Sequence, residues 1–189
     1  MKEQTGFTAW FTGLPCCGKT TIADTVAKLL EKRGYKVQRL DGDIVRKDLT
    51  KDLGFLKEDR DENIRRVSHL AKNLTISGLI VLATFVSPYK ARREKTRQEI
   101  ENFVEIYVKC PVEVCKKRDV KGMYKKALAG EIKNFTGVDD PYEEPDNPEL
   151  IIYSDKETVD ESVQKTIKTL EKLGYIKSVS YTHLTLPTN

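Results

Sequence analysis

Apolar positions along the chain change their spacing in a regular rhythm. Phe7 to Thr12 is apolar and β-prone and runs into a glycine-containing loop. After the loop, Ile22, Val26, Leu29 and Leu30 recur at i, i+4, i+7 and i+8, the repeat that turns one face of a helix to a core. Gly34 stops that helix, and Val37 to Leu40 predicts a second short strand ending in Asp41-Gly42-Asp43. Ile64, Val67, Ala71 and Leu74 mark a helix closed by Gly78, and the apolar run Leu79 to Val86 predicts a strand buried on both faces. Lys90 to Asn102 suits a helix, Phe103 to Val108 a strand, and Val112 to Arg118 a short helix opened by Pro111. Leu150 to Tyr153 reads as a last strand, and Val159, Val163, Ile167 and Leu170 as one face of a last helix. This alternation predicts a three-layer α/β fold, a mostly parallel sheet with helices on both faces.

Two stretches break the rhythm. Asp119 to Gly137 is rich in lysine and carries Gly122, Gly130 and Gly137 as flexible points, the makings of a lid beyond the sheet. Val138 to Leu150 holds six acids and no Lys or Arg. From Ser178 the text SVSYTHLTLPTN has no charge other than His183 and no useful period. One domain over residues 1–177 is therefore expected, followed by an appended or foreign tail, disordered, over 178–189.

Composition narrows the partners more than the chemistry. The 189 residues are 39% apolar, and 33 basic against 29 acidic side chains leave +4, too mild and too evenly spread to suggest a nucleic-acid or membrane binder. No apolar run nears the ~20 residues of a membrane span, and the N-terminus lacks a signal-peptide layout, so a cytoplasmic chain is expected. Cys16, Cys17, Cys110 and Cys115 fit no familiar disulfide or zinc spacing and read as reduced thiols.

Gly13-Leu14-Pro15-Cys16-Cys17-Gly18-Lys19-Thr20 is Gly-x-x-x-x-Gly-Lys-Thr placed between a strand and a helix, the context that confirms a phosphate loop. Its backbone N–H groups nest an anion, the helix N-terminus adds partial positive charge, Lys19 reaches β and γ phosphates, and Thr20 is suited to Mg²⁺. Cys16 and Cys17 stand at variable positions, where a small side chain suffices because the backbone faces the phosphate. They need no chemical role; a thiol pKa lowered by the helix N-terminus, with susceptibility to oxidation, is the lesser alternative. Asp41 and Asp43 end a strand where open α/β sheets hold ligands, placed to orient Mg²⁺ or take an acceptor's proton. A surface Asp-Gly-Asp turn is the plain alternative. No Asn-Lys-x-Asp motif appears, which weakens a GTPase reading, but the loop and acids alone leave kinases of several small molecules and a nucleotide-dependent switch open.

The runs GLPCCGKTT, LDGDIVR, LGFLKEDRDENIRR, FVSPYKARR, RDVKGMYKKALAGEIKNFTGVDDPYE and NPEL, in this order, resemble the adenylylsulfate kinase family over roughly Thr5 to Tyr175. The resemblance implies a P-loop NTPase fold and phosphorylation of the 3′-hydroxyl of adenosine 5′-phosphosulfate from ATP with Mg²⁺, in a homodimer. It implies ATP contacts at Gly13, Cys16, Cys17, Gly18, Lys19, Thr20, Thr21 and Arg118, metal held by Thr20 and Asp41, and Asp43 receiving or orienting the 3′-hydroxyl. Acceptor contacts follow at Arg46, Arg60, Asn63, Val86, Ser87, Lys121 and Asn134, with Phe55 and Phe135 stacking on the acceptor's adenine. Ser87 matches a serine described in the family as a phosphoenzyme site; direct in-line transfer needs none, and Ser87 is expected to contact or shape the site. Ile44 departs from the family's usual Asn.

Overall fold

The computed structural model describes residues 4–178, so the expected tail, Ser178 apart, lies outside the described residues. Strands β1 (Phe7–Thr12), β2 (Val37–Asp41), β3 (Ile80–Thr84), β4 (Phe103–Lys109) and β5 (Leu150–Tyr153) form one sheet in the order β2-β3-β1-β4-β5, and every neighbouring pair is parallel. The connections leaving β1 and β3 run toward opposite edges of the sheet, and in such sheets the crevice outside the carboxyl ends of the strands receives ligands.

Alternation along β1 explains why this strand sits at the centre. Phe7, Ala9 and Phe11 face the layer made by α1 (Lys19–Lys32) and α7 (Val159–Lys172), where Ile22, Val26, Leu30, Val163, Ile167 and Leu170 are buried with them. Trp10 faces the other layer and packs with Ile64, Val67 and Ala71 of α3 (Lys57–Ile76). Each such side chain, fully buried, stabilises the fold by roughly 1.5–3 kcal/mol before entropy is counted. A strand buried on both faces is the reason for its unbroken apolar text.

Three stretches depart from expectation for a local reason, beside β3, which is shorter than the expected Leu79 to Val86. Helix α4 spans Lys90–Glu99 and stops short of Asn102, because Ile100 turns to an extended conformation and is buried in the core beside Phe103. Asp41-Gly42-Asp43 does not form an open turn: the Asp41 side chain caps a four-residue helix, α2 (Gly42–Val45). The lid follows α5 (Val112–Arg118) and is not wholly irregular, since α6 (Met123–Leu128) forms inside it, its first N–H groups capped at 3.0 Å by the Asp119 carboxylate. Among the described residues no helix is long and apolar enough to cross a membrane.

The acidic stretch after the lid is a strap fastened across the sheet. Glu143 accepts from the Lys90 N–H at 2.7 Å, Glu144 pairs with Lys109 at 2.8 Å, and Glu149 pairs with Arg97 at 2.6 Å. Beneath it lies the buried guanidinium of Arg93, which donates to Glu105 at 3.0 Å and to the carbonyls of Ser87 and Glu143 at 2.6 Å each. Removing one partner of a buried pair leaves an uncompensated charge and stranded acceptors. Arg93→Ala is therefore expected to lower unfolding free energy by about 3 kcal/mol or more in urea titrations. A loss below about 1 kcal/mol, the value of an exposed pair, would contradict this burial argument.

Candidate active site

The loop between β1 and α1 takes its shape from backbone constraints. Gly13 has φ 146°, and a Cβ there would stand 2.4 Å from the Val108 carbonyl oxygen, so only glycine lets the loop lie against β4. Gly18 opens α1 with no side-chain cap, which leaves the first-turn N–H groups free for an anion. Lys19 Nζ donates to the Gly13 and Leu14 carbonyls at 2.9 and 2.8 Å, holding the ammonium inside the loop's curve. Cys17 speaks against the oxidation alternative. It is fully buried in the α1 core, and burial pushes its thiol above the ordinary 9.0 although nearby Lys19 pulls the other way. Desolvation outweighs the helix terminus there, so Cys17 is a packing residue and not an activated thiol.

Asp41 gathers the chemistry. Its Oδ2 accepts from Thr20 Oγ1 at 2.9 Å and from Thr84 Oγ1 at 2.8 Å, and its Oδ1 accepts from the Asp43 N–H at 3.0 Å. Burial alone would raise the pKa of this carboxyl, but these donors, with the Arg39 guanidinium 3.8 Å away, together hold it below the ordinary 3.8. Asp41 and Thr20 thus offer only oxygen ligands, and no group of three or more His, Cys, Asp or Glu among the described residues could hold a metal alone. That donor set fits Mg²⁺, which binds through one or two protein oxygens and keeps waters and substrate phosphates as its other ligands.

On the far side of Asp41 the cleft broadens, to a volume of about 950 Å³ in all. Asp43 pairs with Lys121 of the lid across its mouth. Arg46 lies with its guanidinium 4.8 Å from the centre of the Phe55 ring, a cation–π contact at the half-exposed rim. Asn63 is buried, and its Oδ1 has no hydrogen-bond partner among the described residues, so an acceptor is left for a ligand's hydroxyl or amine. Phe135 is buried edge to face with Tyr124, ring centres 5.0 Å apart.

Most residues expected at the site line this cleft, from Cys16 through Thr21 to Asp41, Asp43, Arg46, Phe55, Arg60, Asn63, Val86, Ser87, Arg118, Lys121 and Phe135. Gly13 and Asn134 do not line it. Gly13 backs the loop, and Asn134, at φ 56°, gives its carbonyl to Arg60 and its N–H to Asp139 at 2.7 Å. Arg60 lines the cleft but aims its donors at protein: Phe55 O at 3.0 Å, Thr136 Oγ1 at 2.8 Å and Asn134 O. Ser87 likewise turns inward, accepting from Trp10 Nε1 at 3.0 Å and donating to Thr12 Oγ1 at 3.1 Å. Sequence reasoning missed Thr84, Thr136 and Ser154. Neither Thr84 nor Ser154 had a signal in the sequence: Thr84 meets Asp41 through the register of β3 with β2, and Ser154 donates to the Cys17 carbonyl at 2.7 Å. Ile44 is exposed and does not line the cleft, so the missing Asn side chain takes no hydrogen bond from its interior.

Residues 5–153 match the model of a protein family described as adenylylsulphate kinase. The chain is 59% identical over 176 residues to the adenylyl-sulfate kinase of Halothermothrix orenii, covering 93% of this chain and 95% of that protein. Its fold is similar to that of the Mycobacterium tuberculosis APS kinase CysC in complex with AMPPNP and APS, with a TM-score of 0.85 at 42% identity over 89% of this chain and 99% of that one. A hexameric APS kinase from Thiobacillus denitrificans is similar with a TM-score of 0.70 at 36% identity, over 93% of this chain and 30% of that one.

The depressed Asp41 pKa has a definite sign in stability. A carboxylate more acidic folded than unfolded adds stability that is full above the unfolded value near 3.8 and vanishes as pH falls through the folded value. Asp41→Asn should therefore show a shallower loss of unfolding free energy than the wild type as pH drops below about 4. Parallel acid titrations of both proteins by circular dichroism measure this, and superimposable slopes would contradict the hydrogen-bond account.

Proposed function

Since the chain belongs to the adenylylsulfate kinase family, we propose that this cleft seats two nucleotides end to end, with Asp41 and Asp43 at the junction. The enzyme transfers the γ-phosphoryl group of ATP to the 3′-hydroxyl of adenosine 5′-phosphosulfate. The observation that carries the site assignment is the Asp41 knot, which ties the phosphate loop, through Thr20, to the short helix that presents Asp43.

On this reading the loop amides and α1 hold the donor's phosphates, and Lys19 leaves the loop carbonyls to neutralise the β and γ oxygens. Thr20 and Asp41 are the residues that would hold Mg²⁺, which when bound supplies further charge neutralisation on the same oxygens. Phe55 and Phe135 hold the acceptor's adenine, Asn63 Oδ1 accepts from the acceptor, and Arg46 faces its anionic end. Asp43 takes the 3′-hydroxyl proton as the oxygen bonds to the γ-phosphorus and the bond to the bridging oxygen of ADP breaks. Arg118, whose guanidinium donates to the Ser154 carbonyl at 2.7 Å, supports the donor's nucleoside end. Ser87 shapes the cleft floor through its bonds to Thr12 and Trp10, and direct in-line transfer needs no phosphoserine there.

We carry a cytoplasmic homodimer formed by a kinase unit over residues 1–177 as part of the same proposal. A sedimentation mass near twice 21.6 kDa checks the dimer, and a monomer mass at micromolar protein would refute it. Lys19→Ala is expected to cut turnover by about 10²–10³, through lost charge stabilisation. Asp43→Asn is expected to cut it by about 10²–10⁴, through lost proton acceptance. A coupled assay with ATP, Mg²⁺ and adenosine 5′-phosphosulfate measures both, and near-normal rates in the two variants would overturn these roles.

A further inference from the structure

Tyr124 lies in the lid helix α6 and is not among the residues that line the cleft, yet it touches both of its arms. Its side chain is 1% exposed. The phenol donates to the Pro15 carbonyl, inside the phosphate loop, at 3.1 Å. Burial pushes that phenol above its ordinary 10.0, so it stays a donor throughout the working pH range. The ring meets Phe135 edge to face, with planes at 79°. A second contact joins the same two segments: a Cβ on Gly137 would stand 3.1 Å from Leu14 of the phosphate loop and 3.4 Å from the Tyr124 hydroxyl. Because Gly137 has φ 91° and no side chain, the Phe135 segment packs directly on the loop. Gly122 and Gly130 bracket α6, both with positive φ and with open space around them, so the helix has a hinge at each end.

We propose that Tyr124 is a positioning residue that couples the two nucleotide sites, so that filling the phosphate loop orders Phe135 for the acceptor and the reverse. The inference rests on the reading of Phe135 as an acceptor-stacking residue. Its physical content is that one ordered element serves both ligands. Whichever nucleotide binds first fixes the Pro15–Tyr124–Phe135 chain, and the second then binds a site already set. Coupling of this kind is reciprocal, so each ligand must tighten the other by the same factor.

Isothermal titration with Mg²⁺ and an imido-bridged ATP analogue, and with adenosine 5′-phosphosulfate, each alone and each with the other saturating, measures that factor. The wild type is expected to show mutual tightening of about 5-fold or more. Tyr124→Phe keeps the ring against Phe135 and removes only the bond to Pro15. It should bring the factor close to one while leaving the acceptor's affinity for the otherwise empty enzyme nearly unchanged, a split that a general loss of packing would not produce. Phe135→Ala separates the premise from the inference, since it should weaken acceptor binding in the absence of the ATP analogue by about 5-fold or more. Unchanged acceptor affinity in Phe135→Ala would overturn the stacking assignment and this route with it. A wild-type factor of one, or the full wild-type factor in Tyr124→Phe with Phe135→Ala weakened as expected, would overturn the coupling alone.

Discussion

The Asp41 carboxylate is the constraint on which the geometry of the cleft depends. It sits at the carboxyl end of β2 and draws in Thr20 from α1, Thr84 from the end of β3 and the Asp43 N–H of α2. Hydrogen bonds to a charged group contribute roughly 1.5–3 kcal/mol each, so three converging on one carboxylate fix the separation of three elements more firmly than apolar packing alone. Arg39, two residues back on the same face of β2, donates to the Leu82 carbonyl at 2.5 Å and so holds β2 to β3 beneath that point. The start of the phosphate-binding helix and the residue proposed to take the acceptor's proton are therefore oriented by the two oxygens of one carboxylate.

A second set of constraints keeps the cleft floor in an unfavourable shape. Ser87 has φ 40°, a left-handed conformation that costs a non-glycine residue roughly 1–3 kcal/mol. It persists because its carbonyl is held by Arg93, and its hydroxyl by Trp10 and Thr12. Arg93 is in turn fixed by Glu105 and by the strap carbonyl of Glu143. The six acids between Val138 and Leu150, which in the sequence stood out only as a charge run, are thus tied to the body of the protein and hold the strained turn in place.

What the sequence disclosed follows from the range of each interaction. Burial repeats along β1, α1 and α7 report the sheet and its layers because many side chains share one face, and the text of Gly13 to Thr20 reports the loop because its backbone needs glycine at fixed places. The short helices α2 and α6 stayed hidden because each depends on one carboxylate, Asp41 or Asp119, bonding N–H groups a few residues on. Residue identities at the site were legible from the family resemblance, whereas their bonds were not. Arg60 is the plain case: a guanidinium fork suits a phosphosulfate, yet in this fold its donors brace Phe55, Asn134 and Thr136, the segments that carry the two aromatic rings. Spacing says which side chains share a cleft, and competition among donors and acceptors from distant segments decides what each one touches.

The two arms of the cleft differ in how firmly they are built, and the difference bears on turnover. The donor side is anchored in the core through Cys17, Lys19 and the Asp41 knot. The acceptor side has Phe55 44% exposed, and the ion pair that brings the lid to Asp43 joins side chains 58% and 66% exposed. An exposed pair contributes about 0–1 kcal/mol, whereas opening a buried one would cost about 3–5 kcal/mol. At about 1.4 kcal/mol per tenfold in rate, a buried latch would slow lid opening by two to three orders of magnitude. A weak latch lets the Lys121 segment come away from Asp43 for acceptor entry and product release while α6 stays packed on the phosphate loop through Tyr124. The dry state needed at the moment of transfer is then supplied by the substrates, whose own contacts close what Lys121 and Asp43 only hold loosely.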